Sequence, residues 1–350
     1  ASPEFFALPK KNVRDGEMSQ VTLVIGVNSP DGKGNVTAYA GYRHVEPILQ
    51  GNRDYSACTL NSGDSFAAAG CGGSGTAFPA RIGNQVVDIT TPAQAFRDRV
   101  ASRDLYNFGP TNYYQRPDDR YVLGAFAEYQ VTDWATAYAD VMFMDDTSTY
   151  QIAPGGIFAE AFNINCANPL LSAQQRDRMP VFEGAAGETC GNTANPNAVF
   201  NDVVARRNVE GGGRQGKTQH QQYRYVVGLR GDLGENWNYD FAMQYGRVSF
   251  NQVQTGFFRT SGIRNALDVV VGPNGTPVCR SALPGGADPS CVPLNIFRVG
   301  GVTPEALNYL ETPSTQNGNL YERIVNISLG GDLTEYGVKM PWANDGVGVS

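Results

Sequence analysis

The 350 residues carry 27 basic and 34 acidic side chains, a formal net charge of −7, and only 17% of them are charged, against roughly 25% in an ordinary soluble domain. An acid-leaning chain lacks the basic footprint of a nucleic-acid binder. Two histidines leave little material for histidine-based metal or triad chemistry, so neither an enzyme nor a bound cofactor or metal is expected. With 41 Gly, 20 Pro, 17 Tyr and 17 Phe the composition is that of a turn-rich β protein, and its longest apolar run, Val21-Thr22-Leu23-Val24-Ile25-Gly26-Val27, falls short of the roughly 18 residues of a membrane helix.

The opening Ala1-Ser2-Pro3-Glu4 has neither the basic segment nor the apolar run of a signal peptide, and the chain closes inside a strand-like run, Gly346-Val347-Gly348-Val349-Ser350. Both features suit a piece of a longer mature chain. A first hairpin is predicted from strands near 21–28 and 35–46 around Pro30-Asp31-Gly32-Lys33-Gly34. A second uses 120–132 and 134–147 around Thr132-Asp133, and a third 222–234 and 236–252 around Gly234-Glu235-Asn236. The fourth uses 320–333 and 337–350 around Thr334-Glu335-Tyr336-Gly337, all with turn residues of the hairpin type. The units begin near Val21, Tyr121, Tyr225 and Val325, spaced by 100, 104 and 100 residues, so the chain repeats one supersecondary unit.

Between the hairpins lie long segments, about 47–119, 150–220 and 252–318, rich in Gly, Pro, Asn and Ser and without sustained periodicity. Short helices are expected in them at 93–100 and 303–310. A compact domain seldom carries structureless loops beyond about 15 residues. Tight turns alternating with long loops form the pattern of an outer-membrane barrel.

Period-two alternation supports strands. Trp237, Tyr239, Phe241, Met243 and Tyr245 share one face, and Asn238, Asp240, Ala242, Gln244 and Gly246 the other. The preceding strand sets Tyr225, Val227, Leu229 and Leu233 against Arg224, Arg230 and Asp232. A soluble sandwich alternates in the same way, so alternation does not separate it from a barrel with an apolar outside and a polar lumen. The three tryptophans, Trp134, Trp237 and Trp342, each follow a tight turn at spacings of 103 and 105 residues. That placement is the one an interfacial aromatic girdle requires.

Cys58 and Cys71 fall in the first long segment, Cys166 and Cys190 in the second, Cys279 and Cys291 in the third. Of 15 connectivities, only Cys58–Cys71, Cys166–Cys190 and Cys279–Cys291 keep every bridge within its own segment. Loops with little core of their own would gain most from such staples, about 3 kcal/mol each on the chain-entropy argument. Six cysteines also suit an oxidising compartment, and no CxxC spacing suggests zinc or redox chemistry.

Several patterns carry no chemistry in context. Gly70-Cys71-Gly72-Gly73-Ser74-Gly75 matches GxGxxG but neither follows a strand nor opens a helix. His44 and His220 fit strand ends, Asp118-Asp119 and Asp145-Asp146 fit polar junctions, and Arg206-Arg207 reads as ordinary solvated loop charge. Tyr113, Tyr114, Phe257 and Phe258 are the loop aromatics best suited to stacking on a ligand, with packing inside the loops as the alternative.

The third long segment holds Val278-Cys279-Arg280-Ser281-Ala282-Leu283, then Asp288-Pro289-Ser290-Cys291-Val292-Pro293-Leu294-Asn295-Ile296-Phe297 and Thr303-Pro304-Glu305-Ala306-Leu307. With Cys166, Asn168-Pro169-Leu170-Leu171-Ser172-Ala173-Gln174-Gln175 and Asp31-Gly32-Lys33-Gly34-Asn35-Val36-Thr37, the chain resembles, over nearly its whole length, the barrel of TonB-dependent outer-membrane receptors, in the proteobacterial subgroup with cysteine-stapled external loops. The resemblance implies an all-β fold, an antiparallel transmembrane β-barrel. The chain's meander of about eight strands would be part of a barrel of about 22 strands, its long loops external.

The resemblance further implies an N-terminal plug and active uptake of a scarce nutrient, such as a siderophore, cobalamin, an oligosaccharide or a peptide. Partners would be lipid and lipopolysaccharide of a Gram-negative cell outer membrane, the nutrient at the external loops, and the TonB complex through an N-terminal region outside this sequence. The whole chain, 1–350, would belong to the barrel, since no segment resembles a plug or a TonB box. A passive porin or structural barrel without energy coupling is the alternative, and a secreted β-sandwich adhesin a third.

Overall fold

The structure, a computed structural model, describes residues 8–65 and 68–350. Its organising element is an eight-stranded antiparallel meander in chain order. The strands are β1 (Met18–Asn28), β2 (Gly34–Val45), β3 (Asp118–Thr132), β4 (Ala135–Pro154), β5 (Gly213–Leu233), β6 (Trp237–Thr255), β7 (Ser314–Asp332) and the stub β8 (Gly348–Val349). Registers such as Asn28↔Asn35, Thr132↔Ala135 and Leu233↔Trp237 put every tight turn at one end of the sheet. The three long segments, now 46–117, 155–212 and 256–313, leave from the other end. The sheet is open, with β1 at one edge.

Three expectations are corrected. β4, β5 and β7 run well past their predicted loop-side ends, and β6 slightly, because Thr147-Ser148-Thr149, Lys217-Thr218-Gln219 and Ser314-Thr315-Gln316-Asn317 are polar on both faces and give no hydrophobic period to read. The segment 337–350 is not a strand: Pro341 brings no N–H to a ladder and Asn344-Asp345-Gly346 turns the chain, so only Gly348–Val349 pairs, with Gly331 and Asp332. Trp342 therefore sits outside any strand, 82% exposed, and Trp134 lies in the turn before β4; of the three, only Trp237 stands on a strand. In place of a helix at 93–100 there is a short strand, Phe96–Asp98, whereas 303–310 does hold a helix, α3 (Pro304–Leu310), capped by Thr303 Oγ1 accepting from the Ala306 N–H.

Register aligns the alternation across the sheet. Leu23, Ala40, Leu123, Phe143, Tyr223 and their neighbours at two-residue intervals form one continuous face, and Phe241, Ile327 and Leu329 continue it. Arg120, Glu128, Asp140, Arg230, Asp240 and Gln244 occupy the opposite face. The apolar face is bare: Ile25 is 67% exposed, Val227 54% and Ile327 75%. The polar face is cross-linked by Arg43–Asp118, Arg120–Asp146 and Arg230–Glu128 ion pairs, and Tyr138 donates to Asp240 with its ring laid over Gly228, where a Cβ would collide. In consequence the protein exposes 20316 Å², where a compact monomer of 37.7 kDa would expose about 14,000 Å².

Aromatic rings border the apolar face at both ends. Toward the turns stand Tyr129, Trp237 and Tyr239. Toward the long segments Tyr42 packs on Tyr121 (4.8 Å between centroids), Phe143 on Tyr223 (5.0 Å) and Tyr225 on Tyr245 (6.5 Å). This second row was not read from the sequence, because its members align only through cross-strand register.

At the first turn, Asp31 accepts from Ser29 Oγ, the Lys33 N–H and Tyr129 Oη of the neighbouring hairpin. These bonds, Ser29 foremost, hold its carboxyl down at about 2. A carboxyl lowered by folding stabilises the fold fully above its unfolded value of about 4 and loses that contribution as pH falls toward 2. A carboxyl NMR titration should place Asp31 near 2 and show its midpoint rising in Tyr129→Phe; an unchanged midpoint would mean that the turn does not lean on the second hairpin.

Candidate functional site

The buried core of this protein lies in the long segments rather than in the sheet. Ile82, Val87 and Phe96 of the first, Ile157, Phe162, Ile164 and Val204 of the second, and Ile263, Leu267, Ile296, Phe297 and Leu310 of the third form one cluster. The expectation that these loops hold little core is thereby overturned; their apolar residues are too scattered in sequence to show a period, and meet only in three dimensions. A five-stranded sheet joins Gly156–Asn165 and Val199–Arg207 of the second segment to Arg81–Ile82, Gln85–Val87 and Phe96–Asp98 of the first. Two further helices, α1 (Ala173–Asp177) and α2 (Thr260–Leu267), complete it.

Amide side chains sew the segments together. Gln174 receives the Phe96 N–H and donates to the Phe96 carbonyl, both at 2.8 Å, acting as a strand partner. Gln175, in a capping box with Ser172, donates to the carbonyls of Gln94 and Phe297. Asn168, fully buried, donates to the Leu267 carbonyl. The bridges Cys58–Cys71, Cys166–Cys190 and Cys279–Cys291 all form, each within its own segment, with Cα separations of 5.7, 4.7 and 6.0 Å. Asp288 ties the last bridge down: it accepts from Ser290, Tyr309 Oη and Asn265, bonds that hold its carboxyl at about 2.

Among the clefts of this loop unit, a shallow one of 340 Å³ lies beside the Cys166–Cys190 bridge, and two others lie between segments. A polar one of 610 Å³ lies between the second and third segments and is walled by Asn163, Asn197, Asn201, Asn265, Asp268 and Arg280, with Arg280 neutralised by Asp268. A smaller one, 210 Å³, lies where the loops meet the strand ends and is lined by Phe158, Glu160, Arg214, Phe257, Phe258 and Thr260 among others. It depends on glycine at 155, where a Cβ would run into the Gly256 carbonyl. Phe257 and Phe258 therefore line a cleft as the sequence reading allows. Tyr113 and Tyr114 do not join them: they sit on a separate two-stranded stub, Tyr113–Gln115 with Ile48–Leu49, where Tyr114 meets Tyr55 edge-on at 5.9 Å.

The residues missed from sequence are the arginines. Arg206 and Arg207, read as solvated, are 1% and 5% exposed. Arg206 is neutralised by Glu210 at 2.5 Å and donates to Asn208 Oδ1. Among the described residues Arg207 has no acidic partner; it donates to the Pro154 carbonyl at 2.9 Å and lies over the rings of Phe158 (4.9 Å) and Tyr106 (5.5 Å). Arg214, on the polar face at the start of β5, lies over Phe158 (5.3 Å) and Phe257 (5.5 Å) and donates to the Ala153 carbonyl. Burial, and then the charge of Arg214, pulls Arg207 below the usual guanidinium range. Arginines stacked on aromatic rings recover part of their lost hydration, yet two cations on one ring still favour an anion beside them.

Against family models, characterised proteins and solved structures, this chain matches none.

Proposed function

We propose that this chain is part of the β-barrel of an outer-membrane receptor of the TonB-dependent type, capturing a nutrient on its external loops for energy-coupled uptake. The observation that carries the reading is the bare apolar face, bordered by aromatic rows at both ends, on a sheet whose core-forming residues all gather beyond one of those ends. A soluble sandwich would bury that face against a second sheet; here it is exposed, as a face meant for hydrocarbon would be. The part of β5 with an apolar face, residues 223–233, equals the roughly 9–11 residues of a tilted strand crossing a bilayer, and the polar continuation from Gly213 would stand outside it. Amides and ion pairs on the opposite face suit a wet or plugged lumen. The open edges suit a sheet that continues into a larger barrel. Capture rather than free passage is favoured by the loops, which fold into one packed unit with clefts.

Single-cysteine labelling in intact cells with a membrane-impermeant maleimide tests this. A cysteine at Asn274, in an exposed turn of the third segment, should label from outside. Cysteines at Asp133 and Glu235, in the tight turns, should label only after the outer membrane is permeabilised. The reverse pattern would place the loop clefts away from arriving nutrient and sink the uptake reading, and labelling of all three from outside would sink membrane insertion itself.

A further inference from the structure

We infer that the cleft lined by Phe158, Arg214, Phe257 and Phe258, together with Arg207 on the same Phe158 ring, binds the carboxylate of a small aromatic or otherwise apolar organic acid, or the acidic end of a larger molecule. The inference names a ligand class for the loop end and rests on the uptake reading only for its biological setting.

The first ground is charge. Among the described residues Arg206 pairs with Glu210, Arg97 with Asp104, Arg264 with Glu160 and Arg280 with Asp268, while Arg259, next to Phe258, has no carboxylate partner and lies over the Tyr309 ring. Arg207 and Arg214 have none, although both lie over one phenyl ring. The acidic wall residue of the cleft, Glu160, is already held by Arg264 at 2.9 Å. Nearby Glu311 accepts the Gly256 N–H through Oε1 and makes no ion pair with either arginine. The cleft wall is therefore left with one uncompensated positive charge, Arg214, and a second, Arg207, is stacked on its Phe158 ring.

The second ground is independent of charge. Nε of Arg207 and Nδ2 of Asn208 are buried donors without an acceptor, on side chains that are 5% and 0% exposed. Buried donors are almost always satisfied; neither residue lines the cleft itself, but Arg207 stacks on the Phe158 ring that does. A carboxylate brings only acceptors, in the planar arrangement that a guanidinium fork meets with two parallel bonds.

The third ground is shape. Three phenylalanines give the cleft apolar walls that suit a carbon skeleton and offer little to the remaining oxygens of a phosphate. Its 210 Å³ is below the roughly 300–1,000 Å³ of pockets that enclose a drug-sized molecule, so it accommodates an acid the size of a single ring or the end of something longer.

Calorimetric titration of the purified chain in detergent micelles with benzoate, benzyl alcohol and inorganic phosphate tests the assignment. Benzoate should bind, with benzyl alcohol and phosphate each at least about 10-fold weaker. Arg214→Gln, at a half-buried position that the fold should tolerate, should weaken benzoate about 10–100-fold, the range expected for losing a charge-assisted hydrogen bond; Arg214→Lys should restore part of it. Phe257→Ala keeps both cations and should weaken benzoate while preserving its preference over the alcohol. No benzoate binding, equal binding of the alcohol, tighter binding of phosphate, or indifference to Arg214→Gln would each overturn the assignment. The titration needs no membrane orientation, so benzoate binding by a protein whose loops label from the wrong side would leave the site standing and remove only the uptake reading.

Discussion

Val227→Arg should destabilise the protein inserted in phospholipid vesicles by about 2–4 kcal/mol, while Val253→Arg on the same sheet face should cost little. Val227 stands mid-band on β5 between Ala139 and Met243. Val253 shares the face of Met243 and Tyr245 but lies beyond the upper aromatic row, opposite Lys217 and Thr315. If the band faces hydrocarbon, arginine at its middle costs about 2–4 kcal/mol and at the wet end about 0–1 kcal/mol. In a soluble sheet, two exposed valines at 54% and 36% would accept arginine with similar, small effects. Urea unfolding from vesicles measures the difference; equal costs would show that depth along the strand does not matter and that the apolar face meets water or protein instead of lipid.

The second large effect is expected in the loops. Phe297 is 1% exposed in the shared cluster, and its carbonyl accepts from Gln175 of the second segment. Next to it, Val299 donates its N–H to Gln94 of the first. Phe297→Ala should cost about 3–5 kcal/mol through lost burial and the cavity left behind. Because the core is common, hydrogen exchange should accelerate in all three segments, at Ile82 and Val204 as well as at Leu310, while the central strands β4–β6 keep their protection. Acceleration confined to 256–313 would mean three independent stapled loops, and the clefts between segments would then lose their physical basis.

Much of the sheet was legible because its periodicity is local. Alternation at 225–233 and 237–245 and turns built on Asp31-Gly32 and Gly234-Glu235-Asn236 need only neighbouring residues to be read, and they put the first seven strands in place and in order. The disulfides were legible by a similar economy, each pair being near in sequence. The eighth strand failed because an expected repeat was extended over Pro341 and Asn344-Asp345-Gly346, which break a ladder whatever the repeat suggests. In the candidate site, Phe257 and Phe258 could be singled out as loop aromatics, but nothing in the sequence distinguished them from Tyr113 and Tyr114, which are equally aromatic and lie elsewhere.

By itself, then, the sequence determined an antiparallel β meander with one apolar face, tight turns at one end and three bridged segments at the other, since each of these follows from spacing, turn chemistry or composition. Tertiary structure alone decided that the segments share a core, since residues as distant as Ile82, Val204 and Phe297 carry no common period and become neighbours only after strand exchange among loops. It also decided which of two neighbouring arginines is neutralised. Arg206 and Arg207 are adjacent and chemically identical, yet strand alternation sends one toward Glu210 and the other onto the Phe158 ring. Whether a buried cation meets a carboxylate or an aromatic ring depends on which side of a strand it occupies and on what lies opposite, and only the folded loops supply that opposite side.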